Sequence, residues 1–137
     1  MTRTTTELTR NQAVVLEALS TGDTPLTAYE ILGLERVRAE GLKAPPTIYR
    51  ALEGLVGLGL VHRIESLNAY FACARGPHVE AVGFAICEHC RKVVELRLSD
   101  CEQHLAMSAR KSGFRVDAVR VEMTGRCGNC RAGPEQR

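Results

Sequence analysis

Two Cys-x-x-Cys pairs, Cys87-Glu88-His89-Cys90 and Cys127-Gly128-Asn129-Cys130, carry the most specific chemistry in the chain. Two residues between cysteines let a tight turn aim both sulfurs at one point. Two such knuckles offer four thiolates, the closed tetrahedral donor set that structural zinc accepts. The 36 residues between Cys90 and Cys127 must form a small subdomain that leaves one knuckle and returns to the other, so a metal would pin its ends together. A redox dithiol or an incidental disulfide is the competing reading of either pair. Redox motifs of this kind come singly more often than in matched pairs, which favours metal.

The elements that must position these residues follow from capping signals and periodicity. Thr9-Arg10-Asn11-Gln12 reads as a capping box opening a helix over residues 11 to 19, and Thr27-Ala28-Tyr29-Glu30 as a second box, opening a helix through Ile31, Leu32, Leu34 and Val37 that closes near Gly41. Pro45 and Pro46 pre-set the first turn of a third helix, since proline there has no amide hydrogen to leave unpaired. Ile48, Ala51, Leu52, Leu55 and Leu58 recur at steps of three and four and form its apolar stripe. Thr47, Tyr49, Arg50 and Glu53 then point outward, with Gly54 and Gly57 thinning that exposed face.

Residues 60 to 65 and 68 to 73 are strand-like runs around a turn and form a hairpin. Three helices followed by a two-stranded wing is the winged-helix arrangement, whose third helix enters the DNA major groove. Lys43, Thr47, Tyr49 and Arg50 are its candidate DNA-binding residues. Arg50 suits a bidentate guanine contact, and Tyr49 a phosphate or a thymine methyl. A merely solvated helix face is the alternative.

The linker-like stretch around Arg75-Gly76-Pro77-His78 marks a boundary, giving a domain over 1–76, a hinge over 77–82 and a second domain over 83–137. In the second domain a strand over 83 to 86 precedes the first knuckle, and a strand over 92 to 98 follows it. A helix capped by Ser99-Asp100-Cys101-Glu102 is stopped by Gly113, and a strand over 114 to 123 leads into Cys127. Such a unit is too small to bury a full core, and its sheet edges invite a second copy.

With 45% apolar and 25% charged residues the chain is globular rather than disordered. No apolar run approaches the roughly 18 residues of a membrane span, and the first ten residues lack a signal peptide's apolar stretch. A cytoplasmic protein with no membrane partner is expected, where cysteines stay reduced and favour metal. Residues 1 to 80 hold eight Lys/Arg against nine Asp/Glu, so any nucleic-acid surface is a local arrangement. No nucleophile pairs with a base and no phosphate-binding glycine loop occurs, so the chain does not read as an enzyme.

The order Ala44-Pro45-Pro46-Thr47-Ile48-Tyr49-Arg50-Ala51-Leu52, Gly59-Leu60-Val61-His62-Arg63-Ile64-Glu65 and Phe84-Ala85-Ile86-Cys87-Glu88-His89-Cys90 resembles the ferric uptake regulator family of bacterial metal-sensing repressors. The resemblance runs over residues 8 to 130. Within the family the chain is most similar to the zinc uptake regulators. Their sensing site falls here on His62, Cys73, His78 and Glu95, which would hold a regulatory zinc beside the structural zinc of Cys87, Cys90, Cys127 and Cys130. One thiolate in a four-ligand set favours zinc over iron or manganese. His89, Cys101 and His104 read as exposed bystanders or members of a further, weaker site.

The combined reading is an α+β chain with an N-terminal winged-helix DNA-binding domain and a small C-terminal α/β dimerisation domain. It implies a homodimeric, zinc-responsive repressor of zinc-uptake genes, with about two Zn²⁺ per chain, acting on a palindromic double-stranded DNA operator. The alternatives are an iron, manganese or peroxide sensor of the same family, or a thiol redox switch or zinc-binding module that binds no DNA.

Overall fold

The computed structural model describes residues 7 to 22, 24 to 73 and 82 to 130, apart from the side chains of Ser99 and Asp100. The chain divides into two units, Met1–Pro77 and His78–Arg137.

In the first unit, α1 (Arg10–Leu19) opens on the capping box expected for it. Thr9 Oγ1 accepts the Gln12 N–H at 3.1 Å and Gln12 Oε1 accepts the Thr9 N–H at 3.0 Å. Thr27 and Glu30 repeat the arrangement at the start of α2 (Ala28–Leu32). The single helix expected to run on towards Gly41 is in fact two, α2 and α3 (Glu35–Ala39), because Leu34 takes an extended conformation between them. The break lets both Ile31 and Val37 be fully buried. One unbroken helix would set those two side chains about 120° apart around its axis, at 100° per residue.

Helix α4 (Pro45–Gly57) starts at its prolines and buries Ile48, Ala51, Leu52 and Leu55 against α1, α2 and β1 (Val61–Ile64). Burying each of the larger side chains contributes about 2 kcal/mol. Gly59, at φ 76°, lets the Leu60 N–H turn back to Leu55 O at 3.1 Å and ends the helix. Gly54 is not on an open face, as the sequence suggested; it lies against the Gln12 side chain of α1.

Strand β1 pairs antiparallel with β2 (Ala69–Ala72), from Val61↔Ala72 to Ile64↔Ala69, around a 3-10 turn at Glu65–Leu67. Asn68 closes that turn in the left-handed region (φ 49°), and its Oδ1 accepts from Arg63 Nη2 at 2.8 Å. Leu26 adds a third rung, exchanging both backbone hydrogen bonds with Tyr70 at 3.0 and 2.8 Å. This helical layer with a hairpin wing is the expected winged helix.

The second unit holds β3 (Val82–Cys87), β4 (Val93–Arg97), α5 (Ser99–Arg110) and β5 (Val121–Gly125). The sheet order is β4-β3-β5, with β3 antiparallel to β4 and parallel to β5. Two local expectations differ. Ser99 lies inside α5, whose cap residue is Leu98 and carries no side-chain cap. The last strand begins at Val121 rather than Phe114, and Phe114 is exposed. Alternation of apolar and charged residues over 114 to 120 is there without a strand to pair with among the described residues. Phe84, Ile86, Val93 and Leu98 are buried, while Val94, Leu105, Met107, Phe114 and Met123 remain exposed.

Candidate functional site

The parallel pairing of β3 with β5 builds the metal centre. Parallel strands end at the same edge of a sheet, so Cys87, at the end of β3 and in register with Gly125, faces the residues that follow β5. The Glu88 N–H donates to Gly125 O at 2.9 Å and extends the pairing into the first knuckle. That knuckle is a tight turn in which the Arg91 N–H reaches Cys87 O at 2.8 Å, with Arg91 itself at φ 67°. The second closes by the Cys130 N–H to Cys127 O at 3.0 Å.

The four sulfurs of Cys87, Cys90, Cys127 and Cys130 lie within 4.8 Å of one another, and Cys90 Sγ is 3.7 Å from Cys127 Sγ. Sulfurs about 2.3 Å from one centre at tetrahedral angles are about 3.8 Å apart, the edge of a zinc–thiolate tetrahedron. All six cysteines are free, so neither pair is a disulfide in this structure. The residues therefore fit zinc in both donor type and spacing.

Their ionisation points the same way. The Cys87 thiol is lowered to about 5, chiefly by the backbone N–H of Cys127 and then that of Cys90, against the opposing effect of burial. Cys127 is lowered by the N–H of Cys130. Cys130 is pushed up to about 12 by burial first, then by the sulfurs of Cys127, Cys87 and Cys90. Cys90 is also raised. The N–H of Lys92 acts against the rise, and the Cys87 sulfur and burial outweigh it. Without a cation the cluster thus holds some sulfurs as thiolates and keeps protons on others, because four adjacent negative charges repel one another. A bound dication would supply the missing charge and displace those protons.

The residues expected to form a sensing site stand on separate segments of the chain. His62 stands on β1 opposite Phe71, and Cys73 lies one residue past β2, with its N–H on Leu60 O at 2.9 Å. Both are half-buried and offer ligand atoms within 4.8 Å of each other. Two ligands about 2.0 and about 2.3 Å from one tetrahedral ion are about 3.5 Å apart, within reach of a side-chain adjustment. Glu95 stands half-buried on β4 opposite Phe84, in the second unit. His78 lies outside the described residues. His89, Cys101 and His104 are exposed and join no group of three metal-type donors among the described residues.

On α4 and just before it, Arg50 and Lys43 are exposed, and Thr47 is half-buried. Tyr49 is half-buried and packs against the core, so less of its ring faces outward than the periodicity implied. A cleft beside Arg50, lined also by Thr9, Asn11, Gln12 and Thr47, was not singled out from sequence. The capping box at Thr9 and Gln12 was its only signal.

A winged-helix unit with exposed Arg50 on its last helix and exposed Lys43 just before it, joined to a unit with a closed four-thiol knuckle, defines a zinc-type metalloprotein with a DNA-binding fold. Residues 3 to 124 match the model of the ferric uptake regulator family, and the chain belongs to that family. It is 36% identical over 126 residues to the zinc uptake regulation protein of Escherichia coli (strain K12), covering 90% of this chain and 72% of that protein. The solved structure of a zinc uptake regulator complexed with zinc and DNA matches at a TM-score of 0.83 and 34% identity, over 90% of this chain and 83% of that one. The crystal structure of holo XcZur matches at 0.80 and 36% identity, over 93% and 88% of the two chains.

Proposed function

We propose that this chain is a zinc-responsive, DNA-binding transcriptional repressor that controls zinc-uptake genes, and not an enzyme. The observation that carries the reading is one chain holding both a winged helix with exposed Arg50 and Lys43 and a four-sulfur cluster of zinc dimensions. The identity to a zinc uptake regulation protein supports it, as does the likeness to a regulator solved with zinc and DNA.

We assign two zinc ions to each chain. Cys87, Cys90, Cys127 and Cys130 would hold one structurally, and His62, Cys73, His78 and Glu95 would hold the regulatory one. The adjacency of His62 and Cys73 at the base of the wing supports the second set, and its thiolate favours zinc over iron or manganese. A regulatory zinc supplies a dicationic cross-link. His62 and Cys73 belong to the wing, His78 to the segment after it and Glu95 to β4. Shared coordination therefore couples segments that otherwise order independently. The ordering cost then no longer falls on DNA binding.

Thr47, Tyr49 and Arg50 of the recognition helix, and Lys43 just before it, contact a palindromic operator. The active form is a homodimer, for which the exposed Val94, Leu105, Phe114 and Met123 offer apolar surface to a second copy. No helix among the described residues is long and apolar enough to cross a membrane. A repressor of this kind works beside the chromosome, in the cytoplasm. The reading is tested with a reporter fused to a zinc-transport promoter in cells carrying or lacking this gene. Repression in zinc-replete cells that is relieved by zinc starvation and absent without the gene supports it; zinc-independent expression in both strains defeats it.

A further inference from the structure

The cleft between the start of α1 and the first turns of α4 has a volume of about 320 Å³, and Thr9, Asn11, Gln12, Thr47, Arg50 and Ala51 line it. No carboxylate is among them. Gln12 is half-buried there, and its carboxamide orientation is set on the oxygen side, because Oε1 accepts the Thr9 N–H at 3.0 Å. The amide nitrogen consequently faces away from the cap, over α4. It lies where a side chain at position 54 would begin: a Cβ on Gly54 would collide with Gln12 Nε2. Glycine at 54 therefore does more than relax the helix. It leaves room for a fixed N–H donor beside the recognition helix.

The residues lining the cleft carry the amides of Gln12 and Asn11, the Thr47 hydroxyl and the Arg50 guanidinium. These groups include several N–H donors and a single full positive charge. Such a set matches the two free oxygens of a phosphodiester, a monoanion. We propose that this cleft seats a backbone phosphate of the bound duplex, with Gln12 as a positioning contact that sets the register of the recognition helix. The proposal rests on the DNA-binding reading above. A single arginine with neutral donors is too little charge to strip water from a free phosphate dianion, so the duplex is the source.

Gln12→Glu separates this role from capping. Glutamate is the usual capping-box partner, so its Oε1 still accepts the Thr9 N–H and the fold is retained. The former amide nitrogen becomes a carboxylate oxygen facing the phosphate. The experiment titrates the zinc-loaded, full-length protein and the variant with a palindromic operator duplex and with an unrelated duplex, across a salt series, and records both melting curves. The expected result is an unchanged melting temperature, a loss of about tenfold or more on both duplexes, and a log K against log[salt] slope smaller by about one. Gly54→Ala, which pushes the amide aside, should show a smaller loss of the same pattern.

Equal affinity and slope for wild type and Gln12→Glu would overturn the proposal and leave Gln12 a cap alone. Loss confined to the operator would also overturn it, in favour of a base contact. If inorganic phosphate alone raised the melting temperature of the wild type but not of the variant, with duplex affinity equal, the cleft would be a free-phosphate site. A wild-type protein that binds neither duplex would instead sink the DNA-binding reading, and this inference with it.

Discussion

Replacing Cys73 with serine should separate zinc sensing from folding. Cys73 is half-buried one residue past β2, and its backbone N–H donates to Leu60 O at 2.9 Å, a hydrogen bond the substitution keeps. The fold should therefore lose no more than about 1 kcal/mol, the size of an ordinary single substitution. All four sulfurs of the knuckles belong to the other unit and are untouched. At the proposed regulatory site the change removes the only soft donor. A serine hydroxyl stays protonated near neutral pH and is a poor ligand, whereas a thiol is deprotonated outright by the ion it binds. Zinc content should fall from about two ions per chain to about one. If the binding-competent fraction drops from nearly all to about 1%, the apparent operator Kd rises about 100-fold, or about 2.7 kcal/mol. Metal analysis, melting temperature and fluorescence anisotropy with a labelled duplex on one preparation read all three consequences. Full zinc content with unchanged zinc-dependent binding would refute the assignment of His62, Cys73, His78 and Glu95. A variant that fails to fold would refute the claimed independence of the two zinc sites.

Three further outcomes follow from the same geometry. Cys90→Ser breaks the tetrahedron at the sulfur that stands 3.7 Å from Cys127 Sγ. Because zinc binding is folding free energy here, the second unit should melt lower by more than about 10 °C, as calorimetry would read. Arg50→Ala removes the one full charge of the phosphate cleft, so it should weaken binding to operator and random duplex by similar factors of about tenfold, at unchanged zinc content; a filter-binding or anisotropy comparison of the two duplexes checks it, and loss confined to the operator would make Arg50 a base contact instead. The last outcome concerns protons. A thiol whose pKa is raised carries its proton until zinc expels it, and one whose pKa is lowered to about 5 is already a thiolate at neutral pH. Loading the knuckles at pH 7 should therefore release fewer than four protons. Below about pH 5 Cys87 takes up its proton, the count should rise, and affinity should fall more steeply with acid. Calorimetry in buffers of different ionisation enthalpy gives the count, and four protons at pH 7 would contradict the thiolate assignment.

Much of this was legible in the residues themselves. Both capping boxes, at Thr9 and Thr27, and the proline start of α4 formed as local chemistry dictates, since each depends on atoms within three or four residues. The knuckles were legible because a Cys-x-x-Cys turn is equally local. What sequence pattern missed depends on distant partners. The break between α2 and α3 follows from burying Ile31 and Val37 together, which a helical period read along one segment cannot reveal. The residues from Phe114 to Arg120 alternate like a strand and are not one, because strand formation needs a neighbour to pair with. The parallel pairing of β3 and β5, which brings the knuckles to one edge, is a property of topology that no local spacing records. Gly54 looked like a weak point in an exposed face until the Gln12 side chain was seen against it.

The central claim, that zinc controls DNA binding through a site distinct from the structural cluster, is tested most directly by measuring duplex affinity across a buffered series of free zinc concentrations. The protein is prepared with one zinc per chain already bound. Affinity for a palindromic operator should rise at least about 100-fold as a second equivalent binds, while iron(II) and manganese(II) at the same free concentrations leave it low. Affinity that stays constant as the second equivalent binds, or that rises equally with iron, would contradict the account.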